Sequence, residues 1–167
     1  MKLIKKQVRK FLRWIYTSRT KRKVKSYGKN LRVNRFSSIG PNVYLGDNVN
    51  FNGMSIQGSG KVTIGSQFHS GRDCLMISQN HNYEGELIPY DATAICKDIT
   101  IGDNVWLGDR VIVLGGAVIG EGAIIQAGSV VVGEIPPCAI AGGHPAKVFK
   151  YRDIEHYNKL KAEGKLN

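Results

Sequence analysis

Residues 101–135 read IGDNVWLGDRVIVLGGAVIGEGAIIQAGSVVVGEI. Ile101, Leu107, Val113, Ile119, Ile125 and Val131 each stand six places apart, and Gly102, Gly108 and Gly120 follow three of them. Four places after each aliphatic residue comes a small or β-branched one: Val105, Val111, Ala117, Ala123, Ser129 and Ile135. A helix spaces its apolar residues by three and four, and a half-buried strand by two. A period of six predicts short strands with a turn after each one, three strands closing a triangular coil. The aliphatic residue points into a narrow prism, and the Gly or small polar residue behind it permits the corner. Coils pair their backbones with the coils above and below, so several repeats must stack before any is stable.

The same phase extends upstream through Ile39, Leu45 and Phe51, with Gly40 and Gly46 behind the first two. Ile64–Gly65 resumes it after one extra residue near Gly58–Gly60. From Met76 to Ile101 the period is lost across SQNHNYEGELIPYDATAICKDIT, residues 78–100. Solenoids accept insertions at their corners, and such loops tend to carry function. Residues 79–95 are therefore read as a loop leaving the prism. The fold class is an all-β solenoid.

The ends have a different character. At residues 3–16, Ile4, Val8, Phe11, Leu12 and Ile15 form one helical stripe, and Lys5, Lys6, Arg9, Lys10 and Arg13 take the other face. Residues 18–35 are basic and weakly patterned. The sequence divides into a basic amphipathic arm at 1–35, a solenoid at 36–151 and a C-terminal helix at 152–167, with Ile154, Tyr157 and Leu160 on one side. Of the 24 Lys and Arg, 14 lie in residues 1–35, which contain no Asp or Glu. The net charge of +11 is thus a strongly cationic arm on a mildly acidic body. An amphipathic cationic helix bearing Trp14 and Tyr16 suits an anionic membrane surface through residues 1–25. No nucleic-acid recognition motif accompanies the charge.

Cys74, Cys96 and Cys138 are odd in number and lack metal-ligand spacing, so they are expected as reduced core thiols and no metal site is expected. Neither a secretory signal nor a membrane span is legible, which points to a cytoplasmic protein, peripheral on the inner membrane face if the arm binds lipid.

Residues 99–150, ending in GEIPPCAIAGGHPAKVFK, closely resemble the C-terminal half of hexapeptide-repeat acetyltransferases. That family includes galactoside and maltose O-acetyltransferases, xenobiotic acetyltransferases, and the O-acetyltransferases of capsule and exopolysaccharide. The resemblance covers residues 37–151. It implies a left-handed parallel β-helix, a homotrimer with active sites between adjacent prisms, and acetyl-CoA as co-substrate. The activity it implies is transfer of an acetyl group to a hydroxyl of a glycan or other small acceptor, in capsular, exopolysaccharide or lipopolysaccharide synthesis.

His81, where the hexads break, occupies the place of the family's catalytic base. A hydroxyl is a poor nucleophile near neutral pH, and a neutral imidazole is suited to take its proton as attack begins. Asn52 aligns with an acceptor-contacting Asn, whose amide both donates and accepts; it also reads as a turn Asn. Tyr83 and Glu84, with Glu86, either orient His81, line the acceptor pocket or are simply solvated. The coenzyme A groove maps to backbone groups of Asp109 and Ala127, and Lys147 and Lys150 map to its phosphates. Trp106 either flanks the thioester arm or packs between subunits. His69, read at a coil corner, His144 and His156 are expected to be ordinary groups. Relatives typically read SVVTKDIPP where this chain reads SVVVGEIPP, so Val132 and Gly133 replace a Thr–Lys pair and weaker donor binding is expected.

Three alternatives share the fold. One is N-acetylation of an amino sugar or a drug. Another is a non-catalytic scaffold. The third is a zinc carbonic anhydrase, which needs three histidines about the metal, whereas His69 and His81 fall on different faces of a coil.

Overall fold

The computed structural model describes residues 2–166; the outermost residues of the sequence's terminal segments, 1 and 167, lie outside the described residues. Helix α1 (Lys2–Lys21) is followed by β1 (Arg32–Arg35), β2 (Val43–Leu45), β3 (Asn50–Asn52), β4 (Ser55–Gln57), β5 (Val62–Ile64), β6 (His69–Arg72) and β7 (Leu75–Ile77). A hairpin of β8 (Gln79–His81) and β9 (Ala94–Cys96) comes next. The chain then lays down β10 (Ile99–Ile101), β11 (Trp106–Leu107), β12 (Ile112–Leu114), β13 (Val118–Ile119), β14 (Ile124–Ile125), β15 (Val130–Val131) and β16 (Glu134–Ile135). It ends with β17 (Ala139–Gly143), β18 (Ala146–Tyr151) and helix α2 (Ile154–Ala162).

The strands form the three faces of a left-handed parallel β-helix. Face A stacks β2, β5, β10, β13 and β16; face B stacks β1, β3, β6, β11, β14 and β17; face C stacks β4, β7, β12 and β15. Pairing in the upper coils is offset by 18 residues, as in Trp106 with Ile124 and Ile112 with Val130. That offset is the three-hexad coil the period predicts. Val43 pairs with Val62, one residue further on, which absorbs the extra residue near Gly58–Gly60. His69 pairs with Trp106, an offset of 37, so the hairpin adds 19 residues without disturbing the stack.

One column of inward side chains fills the prism: Val33, Val43, Phe51, Ile64, Phe68, Met76, Ile101, Leu107, Val113, Ile119, Ile125 and Val131 are essentially inaccessible. Phe51 and Phe68 meet edge to face at 5.8 Å between ring centroids, a favoured aromatic geometry.

The corners differ from the sequence expectation in one respect. The glycines behind the aliphatic residues are not in the left-handed region. What they provide is room: a Cβ on Gly108 would lie 2.5 Å from the Ala127 nitrogen in the next coil. The left-handed residues come further along, at Asn48, Gln67, Asn104 and Gly122 on the A–B edge and at Gly53, Asp73, Arg110 and Gly128 on the B–C edge. Short polar side chains then cap the corner N–H groups of the coil beneath. Asp47 Oδ1 accepts from Lys29 N at 2.6 Å, Asp103 Oδ1 from Ser66 N at 2.6 Å, and Asp109 Oδ1 from Arg72 N at 2.7 Å.

The ends close the prism. Helix α1 runs five residues beyond the predicted stripe, and Thr17 Oγ1 accepts from Val33 N at 3.0 Å, satisfying an edge donor of the first coil. Residues 32–35, expected to be part of an unpatterned arm, instead form the first strand of face B. At the other end β18 pairs antiparallel with β17, and α2 folds back along the wall. Asp153 caps α2 by accepting from His156 N at 3.0 Å, and Tyr157 Oη donates to Glu121 Oε1 at 2.9 Å. Lys161 Nζ lies 2.5 Å from the same oxygen. Of the cysteines, Cys74 and Cys138 are buried as expected; Cys96 is exposed, because β9 belongs to the hairpin and not to the prism.

Phe68→Ala removes the largest aromatic contact of the prism and should cost about 3–5 kcal/mol, measured as a fall in the denaturant midpoint at unchanged slope. The Glu121 carboxyl is held below its ordinary value of 4.5, first by the hydrogen bond from Lys161 and then, against partial burial, by that from Tyr157. A depressed carboxylate stabilises the docked helix fully above its unfolded value, and the contribution is lost as pH falls through the lower folded one. Helix α2 should therefore stay docked through neutral pH and loosen only as pH falls below the ordinary glutamate value of 4.5, seen in amide chemical shifts of residues 154–162. Glu121→Gln should remove that acid dependence.

Candidate functional site

Two edges of the prism carry the residues that the sequence singles out. The B–C edge lies behind Asn52, Asp109 and Ala127. Asn52 sits on β3, not at a turn: it accepts from Asn34 Nδ2 at 3.1 Å and donates to the Ser70 carbonyl at 2.7 Å. Its amide is thus a rung in a ladder of stacked polar side chains, with one N–H and one lone pair left over. Asp109 spends its carboxylate on the Arg72 N–H and its carbonyl on the Gly128 N–H, at 2.8 Å. The N–H groups of Asp109 and Ala127 have no acceptor within the chain among the described residues. Asp109 and Ala127 line one open cleft of about 470 Å³, with Arg35, Arg72, Asp73, Arg110 and Gly128.

His81 belongs to the C–A edge. The hairpin leaves the prism after Ser78, which is fully buried and donates through Oγ to the Gln57 carbonyl at 3.0 Å. Gln79 Oε1 accepts from Ser59 N at 3.1 Å, and Lys97 N donates to the Ser78 carbonyl at 2.9 Å, so both feet of the hairpin are tied to the wall. His81, paired with Ala94, ends β8 in an exposed position. Its ring stacks on Tyr90 at 3.9 Å between centroids and 12° between planes. That contact restrains the imidazole in a segment with little core of its own.

Beyond His81 the loop is held by polar groups. Asp91 Oδ1 accepts from Thr93 N at 2.8 Å and Oδ2 from Glu86 N at 3.2 Å; Asn82 Nδ2 donates to Thr93 Oγ1 at 3.1 Å. Hydrogen bonds from the Thr93 hydroxyl and N–H, followed by that from Glu86, hold the Asp91 carboxyl below its ordinary range. Tyr83 and Glu84 are solvent-exposed, and Glu84 engages only through its N–H, on Asn82 Oδ1 at 3.1 Å. The sequence reading missed Tyr90 and Asp91. A D-x-T turn signature marks Asp91, but nothing local marks a stacking partner nine residues from the histidine.

The remaining positions are dispersed. Trp106 lies on face B, half exposed, beside His69 in a groove of about 530 Å³ under α2. His69 is therefore a strand residue and not a corner one; its Nε2 lies 3.5 Å from Asn50 Nδ2. Lys147 and Lys150 project from β18 at the far end of face B. Val132 and Gly133 lie on the C–A edge, away from Asp109 and Ala127. No cluster of three potential metal ligands occurs among the described residues.

This architecture can be set against known proteins. Residues 98–133 match the family model for bacterial transferase hexapeptide (six repeats). The chain is 33% identical over 129 residues to galactoside O-acetyltransferase of Escherichia coli (strain K12), covering 74% of this chain and 63% of that one. It is 33% identical over 127 residues to a putative lipopolysaccharide biosynthesis O-acetyl transferase, WbbJ, of the same organism, covering 71% and 64%. A structure of galactoside acetyltransferase in complex with coenzyme A superposes with a TM-score of 0.69 at 30% identity, over 83% of this chain and 71% of that one. The chain spans a little under two thirds of the length of the curated relatives it matches. With its three-faced prism, 18-residue coil and this degree of identity, the chain belongs to the hexapeptide-repeat transferase family.

Proposed function

We propose that the chain transfers an acetyl group from acetyl-CoA to a hydroxyl of a saccharide, with His81 as general base, in the synthesis of a capsular, exopolysaccharide or lipopolysaccharide glycan. The observation that carries this reading is the hairpin itself. At the long break in the hexads it presents a stacked imidazole to solvent, in a chain similar over most of its length to a galactoside O-acetyltransferase and to WbbJ.

Acetyl-CoA supplies the acetyl thioester. His81 takes the acceptor's hydroxyl proton as the oxygen attacks the carbonyl carbon, and returns it to the sulfur as the C–S bond breaks. The products are an ester and a free thiol, and the imidazole ends neutral. The orphan N–H groups of Asp109 and Ala127 fit the carbonyl oxygens of a pantetheine arm, and Lys147 and Lys150 fit its phosphates as point charges. Trp106 flanks that arm. Asn52, with Tyr83 and Glu84 of the loop, contacts the acceptor. Val132–Gly133 offers neither a hydroxyl nor a cation to the donor.

His81 and the Asn52–Asp109 edge stand on different edges of one prism, so a site using both takes its histidine from a neighbouring copy. A homotrimer of parallel prisms meets that requirement, since each pair then apposes one C–A edge to one B–C edge.

Helix α1 supports a peripheral location on the inner face of the cytoplasmic membrane. No helix among the described residues is long and apolar enough to cross a bilayer. The outer part of α1 instead leaves Leu3, Ile4, Val8, Phe11 and Trp14 at least half exposed beside its lysines and arginines. Such a face suits the interface of an anionic bilayer.

In a thiol-release assay with acetyl-CoA and a saccharide panel, His81→Ala should lower kcat by about 10²–10⁴-fold with little change in the KM for acetyl-CoA. Undiminished turnover would refute the base. In vesicle sedimentation, the protein should bind phosphatidylglycerol-containing vesicles and not neutral ones. Phe11→Ser with Trp14→Ser should abolish binding without altering turnover of a soluble acceptor.

A further inference from the structure

We infer that the lower part of the B–C cleft, at Arg35 and Arg72 below the Asp109 and Ala127 N–H groups, is an anion-binding subsite for the acceptor, so that the favoured saccharide carries a carboxylate or phosphate near the hydroxyl that is acetylated. The inference rests on the reading of Asn52 as an acceptor contact.

Three arginines, Arg35, Arg72 and Arg110, line this cleft. Arg35 and Arg72 are the register partners of Asn52 in the coils on either side of it. Arg110 stands in the coil above Arg72, and its N–H donates to the Arg72 carbonyl at 2.7 Å. None of the three is within ion-pair distance of a carboxylate: the ion pairs among the described residues are Lys161–Glu121 and Lys165–Glu163. The two acids in the cleft, Asp73 and Asp109, offset only part of that charge, and Asp109 turns one oxygen to the Arg72 N–H. The cleft therefore keeps an excess positive charge where the body of the protein is otherwise mildly acidic.

The backbone adds a second argument. Arg110 has φ 57°, a conformation that costs a non-glycine residue about 1–2 kcal/mol. The same edge uses glycine at Gly53 and Gly128 and a short polar residue at Asp73. A long cation thus stands where glycine would serve the corner better. Guanidinium forks bind carboxylate and phosphate oxygens in pairs, with geometry as well as charge.

The donor's nucleotide phosphates are assigned elsewhere by distance. Face B runs in the order β1, β3, β6, β11, β14, β17, β18. Arg35 on β1 and the lysines on β18 are six spacings apart, roughly 29 Å at the usual interstrand distance. Arg72 on β6 is four spacings away, roughly 19 Å. The lower cleft is the acceptor's end.

The test compares a neutral hexoside, its uronic acid and its phosphate as acceptors, for the wild-type protein and for Arg35→Ala with Arg72→Ala. The two charged probes separate carboxylate from phosphate recognition. In the wild type, kcat/KM should be at least about tenfold higher for one of the charged acceptors than for the neutral one, the worth of a single charge-assisted contact. In the double variant that ratio should fall towards one, through the acceptor KM, with the KM for acetyl-CoA unchanged. Equal kcat/KM for neutral and charged acceptors in the wild type would overturn the inference. So would a rise in the acetyl-CoA KM, which would give Arg35 and Arg72 to the donor, or a change of oligomeric mass in the double variant, which would make the arginines interface groups. Direct binding of the same probes to His81→Ala protein reads the subsite without turnover. Tighter binding of a charged probe that the two arginine substitutions abolish supports the subsite even if no acceptor is acetylated, whereas equal binding overturns it.

Discussion

The structure depends on the close stacking of successive coils. Each coil has few contacts of its own, and its backbone groups are paired almost entirely with the coils above and below. This requires adjacent coils to approach within strand-pairing distance at the corners as well as along the faces. Hence the glycine behind each aliphatic residue: at Gly108 a single added carbon would collide with the backbone of the next coil. Hence also the Asp or Ser after it, whose oxygen caps a corner N–H that the turn leaves unpaired. The aliphatic column is what fits inside a prism so narrow that one side chain per face fills each layer.

A rigid stack of this kind offers little concavity within one copy. Chemistry is placed instead on its edges, where the chain turns, and on whatever the corners let out. The 19-residue insertion leaves at one edge without altering the register of the strands on either side. It can therefore be held by a few polar anchors (Asp91, Asn82 and the feet at Ser78 and Gln79) and still present His81 in a defined orientation against Tyr90. The ladder containing Asn52 and the corner N–H groups of Asp109 and Ala127 run along a different edge. Separation of these parts on one prism is a consequence of the three-sided cross-section.

The ends of the stack meet a different constraint. An uncapped coil exposes a row of strand donors and acceptors, a template for unwanted association. Here α1 covers the first coil, with Thr17 accepting from Val33 N, and β18 with α2 shields the last. The cap at the lower end leaves the outer part of α1 with an apolar stripe that stays exposed among the described residues. The upper cap is fastened by Glu121, Tyr157 and Lys161, a small polar cluster whose carboxylate must be ionised.

Much of this was legible in the residues alone. A six-residue period cannot be accommodated by a helix or a simple hairpin, so the prism, its 18-residue coil and the excursion after Met76 follow from spacing. His81 stands out because it falls where that spacing fails. Other features were decided only by the tertiary structure. Arg35, Arg72 and Arg110 look unrelated in the sequence, since two coils part the first pair and one coil plus the insertion parts the second, and only stacking brings them to one cleft. Tyr90 could not be paired with His81 without the hairpin's register. The strand at Arg32–Arg35 carries a single hexad position, Val33 six residues before Ile39, set among basic residues with no glycine behind it; α1 and the second coil lie on either side of it. Sequence periodicity specifies what repeats along the chain, whereas the neighbours of a residue in a solenoid lie a whole coil away and are set by how the coils stack.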